Sequence, residues 1–159
     1  MNGMTDARVV SIYLDTTVFI DAVEGLADVA AAPRRLITFL REKPGFATTS
    51  ELTFAETLAP PQRMGALPLH VKRRVYLDLL LLSGFVTLVP VTRDILIETA
   101  DLRSVSRMKL PDAIHMVSAV RAACRYLVSR DRDFQKLPAD MTLVKSDADG
   151  IEQLLRIVA

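Results

Sequence analysis

Only one cysteine, Cys124, occurs in the chain, which therefore holds no internal disulfide and no cysteine metal cluster and suits a reducing cytoplasm. Long hydrophobic runs are missing too. The greasiest stretch, Val75 to Leu82, is about a third to a half of a bilayer crossing and carries Asp78, so it reads as a buried helix and no membrane partner is expected. Met1 to Arg8 contains Asp6, and the apolar stretch that follows is broken by Asp15 and Asp21, a pattern unlike a secretory signal. Excess charge of either sign is absent. Twenty Lys and Arg against nineteen Asp and Glu leave +1, so any affinity for nucleic acid has to come from a local patch. With no tryptophan and 6% aromatics, there is no obvious stacking platform for single-stranded bases, and target choice is unreadable.

What remains is the composition of a soluble globular chain: 159 residues, 50% apolar and 25% charged, enough for one real core and too few for two full domains. No repeat, low-complexity tract or linker divides it, so residues 1–159 are expected to form a single domain.

Short β-branched apolar runs alternate with helical patterns. Val9 to Leu14 reads as a strand stopping at Asp15, followed by a helix from about Thr16 to Val23. Pro33 reads as the first turn of a second helix that Pro44-Gly45 ends. Phe46 to Thr49 is a second strand, with Ser50 as N-cap of a helix running to Pro60. An amphipathic stretch from Val71 to Leu82, a strand Val86 to Val89 and a helix from Thr92 to Arg107 follow. Pro111 opens a helix from Asp112 to Cys124, then come strands Tyr126 to Ser129 and Thr142 to Lys145, and a closing helix Asp147 to Val158. Parallel neighbours need crossover connections, which helices usually supply, so the pattern predicts a three-layer α/β/α sandwich around a mostly parallel sheet.

In such a sheet, sites gather beyond the carboxyl ends of the strands. The acidic residues fall there: Asp15 after strand one, Glu56 in the helix after strand two, Asp131 and Asp133 after strand four, and Asp112 in the first turn of its helix. Singly, Asp15 and Asp112 read as helix-end acids and Glu56 as a solvent-facing helix residue. Converging on one mouth, four carboxylates would repel unless cations were bound. Oxygen-only ligation suits Mg²⁺ or Mn²⁺, and such an ion among carboxylates is the apparatus of phosphodiester hydrolysis.

The segments Leu14 to Asp21, Thr49 to Glu56, Leu110 to His115 and Leu127 to Phe134 resemble, in order and spacing, the four motifs of PIN-domain ribonucleases, and most of all the VapC-like toxin branch. The resemblance implies a PIN-like fold and a Mg²⁺- or Mn²⁺-dependent endoribonuclease that hydrolyses RNA in the cytoplasm. It also implies a homodimer neutralised by a small DNA-binding antitoxin. Carried over by position, Asp15 and Asp112 would be the principal catalytic metal ligands, with Glu56 and Asp131 completing the acidic site; Asp133 competes with Asp131 for the fourth place. Where many relatives have Asn two residues after the first Asp, this chain has Thr17, whose hydroxyl can still orient a carboxylate. A catalytically inert PIN-like module binding RNA or protein is the alternative. Phosphatase chemistry of the haloacid dehalogenase kind wants a second Asp where Thr17 stands.

His115, three residues after Asp112, shares its helix face but reads as a hydrogen-bonded packing residue. Arg107, Lys109, Arg130 and Arg132 flank the motif acids and are the favoured phosphate contacts for an RNA path. Val75, Leu79, Leu80 and Leu82, with Ile95, Leu96 and Leu102, are the expected dimer surface. Leu36, Ile37, Leu40, Leu52 and Leu58 are the expected walls of an antitoxin groove.

Overall fold

The computed structural model describes residues 10–60, 66–134 and 137–159. Among them run β1 (Ile12–Leu14), α1 (Thr16–Glu24), α2 (Ala27–Arg41), β2 (Ala47–Ser50), α3 (Leu52–Thr57), α4 (Leu69–Leu77) and β3 (Val86–Val89). They are followed by α5 (Arg93–Ser104), α6 (Leu110–Arg121), β4 (Tyr126–Ser129), β5 (Thr142–Lys145) and α7 (Ala148–Val158). Residue 9, the expected start of the first strand, lies outside the described residues.

The five strands form one sheet in the order β3-β2-β1-β4-β5, and every pairing is parallel. From β1 the chain steps outward to β2 and β3, then returns to lay β4 on the other side of β1. Strand order therefore reverses between β1 and β4, and the crevice beyond their carboxyl ends is where this architecture binds ligands.

Parallel strands with both faces covered read as continuous apolar runs, and β1 is wholly buried. Its Ile12 and Leu14, with Tyr126 and Val128 of β4, pack on one face against Val18, Phe19, Leu36, Leu40, Ile151 and Leu154. Tyr13 and Leu127 point to the other, against Met108, Ala113, Met116 and Phe134. The alternation makes the expected three layers. Strand β2, Ala47-Thr48-Thr49-Ser50, is equally buried but mostly polar, so its hydroxyls need partners. Thr49 donates to the Leu14 carbonyl at 2.7 Å, and Ser50 Oγ accepts from the Leu52 N–H at 3.1 Å, which tethers the start of α3 to the end of β2.

Several expectations are corrected. Pro33 is not in a first turn but deep inside α2, because the alanine-rich stretch ahead of it extends the helix upstream at the cost of one backbone bond. The Val75 to Leu82 stretch is not uniformly buried. It leaves α4 through a π-helical turn, Asp78–Leu82, and Leu81 and Leu82 face solvent while Leu80 joins the core. Leu36 and Leu40 are fully buried in the core rather than on a surface groove, Ile37 is nearly so, and Leu80 and Ile95 are likewise buried within the subunit. Lys72, itself buried, sits 3.6 Å from the Glu24 carboxylate, which also accepts a 2.6 Å bond from the Tyr76 hydroxyl; these contacts tie α4 to the end of α1.

Candidate active site

Asp15 directly follows β1 and is buried, held by hydroxyls from β4 and α1. Ser129, last residue of β4, donates to its Oδ2 at 2.7 Å, and Thr17 donates to the same oxygen at 2.9 Å. The Ser129 bond spans the point where strand order reverses, and the Thr17 bond comes from the first turn of α1. The Thr17 hydroxyl thus orients a carboxylate, and it also accepts the Arg130 N–H at 3.2 Å.

The β4–β5 connection then places two more acids. Asp131 N–H donates to Ser129 Oγ at 2.9 Å, and Asp133 N–H donates to Asp131 Oδ1 at 2.9 Å, so a tight turn projects both carboxylates toward the first turn of α6. There Asp112, Asp131 and Asp133 each present an oxygen within 4.8 Å of the others. The turn thus brings both Asp131 and Asp133 to Asp112.

Asp112 carries the electrostatic cost of this gathering. Its carboxyl is pushed up to about 6, first by burial and then by the charges of Asp131 and Asp15, with Asp133 adding and His115 opposing. Its Oδ2 is buried without a hydrogen-bond partner. A carboxylate with one buried oxygen free of donors, gathered with two further carboxylates, is a hard-oxygen donor set suited to a small divalent cation.

Glu56 stands apart from that cluster. Its Oε2 accepts a short bond from the Thr16 hydroxyl and a 2.7 Å bond from His115 Nε2. Burial pushes the Glu56 carboxyl up, but the bond and charge of His115 and the Thr16 hydroxyl prevail and hold it below the usual range. His115 is 1% exposed, with Tyr13 Oη 2.7 Å from its Nδ1 and Asp15 Oδ1 3.7 Å from its Nε2. Burial pushes the imidazole down, yet Glu56, Asp15 and Asp112 outweigh it and raise it above its ordinary value. Burial, then the Asp15 charge, pushes the Tyr13 phenol well up, so it stays a neutral partner. His115 is thus hydrogen-bonded and packed, as its apolar surroundings suggest, but it is packed into the acidic mouth itself.

The structure brings Asp15, Asp112 and Asp131 to one mouth, adds Asp133, and sets Glu56 at its edge through His115. Of the basic candidates, Arg130 is drawn to Asp21 at 2.7 Å, whereas Arg132 is exposed and forms no ion pair among the described residues. Arg130, Arg132 and Lys145 line a cleft of about 380 Å³ with Asp21, Asp28 and Asp147. Arg107 and Lys109 are exposed just before α6.

The PIN domain model matches residues 12–140, most of the chain. The chain belongs to the PIN domain family. Among solved structures it is similar to a chain of a toxin-antitoxin complex from Klebsiella pneumoniae, at 24% identity over 86% of this chain and 98% of that one, with a TM-score of 0.60. A second is VapBC2 from Rickettsia felis bound to a DNA fragment from its promoter, at 15% identity, 84% and 98% coverage and TM-score 0.60. A third is the Mycobacterium tuberculosis sarcin-ricin loop cleaving toxin VapC20, at 20% identity, 78% and 92% coverage and TM-score 0.62. These likenesses establish the fold, including the sheet whose switch point positions the acids. A search of curated protein sequences finds no match.

Proposed function

We propose that the chain is a Mg²⁺- or Mn²⁺-dependent endoribonuclease acting as the toxin of a toxin-antitoxin pair in the cytoplasm. The observation that carries the proposal is the unpartnered buried Oδ2 of Asp112 within a cluster whose other members are Asp131 and Asp133. Those three, with Asp15, would hold the ion, and Glu56 completes the mouth from α3. A divalent ion bound there would neutralise a phosphodiester and lower the pKa of an attacking water. The protein's own contribution is placement. Ser129 and Thr17 both bond Asp15 Oδ2, which fixes the carboxylate and leaves Oδ1 free of those bonds. The exposed Arg132 between Asp131 and Asp133 suits contact with an RNA phosphate.

An antitoxin partner is supported by relatives solved as toxin-antitoxin complexes and by a groove of about 720 Å³ between α1, α2 and the π-helical end of α4. Val23, Ile37, Val75 and Leu79 line it beside the charged Arg34, Arg41 and Asp78, a mixture that suits an amphipathic segment. A homodimer is supported by solvent-facing Leu96, Ile97 and Val105 on and just after α5 and by Leu110 at the start of α6; light scattering showing only monomer at tens of micromolar would exclude it. Expression in a bacterial host tests the toxin reading. Wild type should arrest growth and fragment cellular RNA, Asp112→Asn should do neither, and co-expression of the cognate small protein should restore growth. Growth arrest with intact RNA would overturn it.

A further inference from the structure

We propose that His115 is a positioning residue for the acidic mouth, fixed from behind by Tyr13 and acting through Glu56. The proposal rests on the nuclease reading but concerns a residue outside the acidic set.

Glu56 sits on α3, a helix of only six residues, and is only half-buried, so its own element does little to hold its carboxylate still. Two side-chain bonds hold it, from Thr16 and from His115 at 2.7 Å, and both fall on Oε2. The other oxygen takes no hydrogen bond among the described residues. An ionised carboxylate only accepts hydrogen bonds, so Nε2 carries a proton whether the imidazole is neutral or charged, and the contact holds in both states.

The ring is fixed from its far side as well. Tyr13 Oη lies 2.7 Å from Nδ1, and the two rings meet edge to face with centroids 5.9 Å apart and an interplanar angle of 69°. A flip of the imidazole would exchange both nitrogens for carbons and lose both bonds, so Tyr13 selects the orientation that serves Glu56. The 3.7 Å between Nε2 and Asp15 Oδ1 is too long for a hydrogen bond, so His115 serves Glu56 and leaves Asp15 to Ser129 and Thr17. One buried side chain therefore connects β1, through Tyr13, to the acid on α3, from a position one helical turn after Asp112 on α6. Outer residues that orient a ligand in this way typically matter about 10- to 100-fold in metal affinity or activity.

The test uses the full chain with His115→Leu, His115→Gln, Tyr13→Phe, Glu56→Gln and the double variant His115→Leu/Glu56→Gln. Mn²⁺ affinity is measured by calorimetry, and kcat and KM on an RNA oligonucleotide. His115→Leu should weaken Mn²⁺ binding and lower kcat about 10- to 100-fold with little change in KM. His115→Gln, which keeps an N–H within reach of Glu56, should restore most of both, and Tyr13→Phe should fall between. In the Glu56→Gln background, His115→Leu should add almost nothing, the non-additivity expected of residues that act as a unit. A folded His115→Leu with wild-type Mn²⁺ affinity and kcat, or full additivity with Glu56→Gln, would overturn the proposal. Should His115→Leu fail to fold, Tyr13→Phe decides, and wild-type values for it would overturn the proposal equally. If wild type cleaves no RNA, the nuclease reading fails, while the Mn²⁺ titrations still decide the role of His115.

Discussion

Replacing Asp112 by Asn should stabilise the metal-free protein, although it destroys the centre that the fold assembles. In the native chain the Asp112 carboxyl is pushed from 3.8 to about 6, by burial and by the negative neighbours Asp131, Asp15 and Asp133. Below about pH 4 the group is protonated in both the folded and the unfolded chain and costs nothing. Between about 4 and 6 the unfolded chain loses its proton first, so this group's contribution to stability falls as pH rises; above 6 the penalty is complete and constant. At roughly 1.4 kcal/mol per pH unit the displacement sets a ceiling near 3 kcal/mol, and screening of a carboxyl that is only part-buried brings this to about 1–2 kcal/mol. In a chain of 159 residues that corresponds to a rise in Tm of about 2–8 °C at pH 7.5. The assay is thermal unfolding in EDTA at pH 7.5 and pH 4, followed by Mn²⁺ titration at pH 7.5. The Asn variant should melt higher than wild type at pH 7.5 and level with it at pH 4, and Mn²⁺ should stabilise wild type far more than the variant. A variant that melts below wild type in EDTA at pH 7.5 would refute the argument, because Asp112 would then be held by favourable contacts rather than strained by like charge.

Two further predictions follow from the same geometry. Leu40 is fully buried, so Leu40→Ala should cost about 2–5 kcal/mol in urea unfolding, whereas a cost below about 1 kcal/mol would return it to the surface role that its spacing first suggested. Arg132→Ala should raise KM for RNA with kcat unchanged and lower the slope of log affinity against log salt by about one; an unchanged slope would remove Arg132 from the RNA path.

The strands were legible because parallel strands covered on both faces need compact β-branched runs, and β3, β4 and β5 have the bounds that Val86, Tyr126 and Thr142 suggest. The starts of α5 and α7 were legible too: the expected helices begin at Thr92 and Asp147, and the structure shows each side chain accepting an N–H three residues on. The acids were legible by position, because strand ends collect chemistry in this architecture. Pro33 misled because proline marks a first turn only when nothing upstream favours helix, and here alanines do. Leu36 and Leu40 misled because helical periodicity identifies an apolar face but not whether the core or a partner covers it. The place of His115 was out of reach. Its spacing puts it beside Asp112, but its partners Tyr13 and Glu56 lie 102 and 59 residues away, joined only by the sheet and by α3 packing against α6.

The most direct test of the central claim is the cleavage rate of an end-labelled RNA by purified protein as Mn²⁺ or Mg²⁺ is titrated, for wild type and Asp112→Asn side by side. The acidic centre predicts no cleavage in excess EDTA, a saturable rise with either ion for wild type, and none for the variant, although its melting curve shows it folded. Full cleavage in EDTA, or an Asp112→Asn protein as active as wild type, would contradict it.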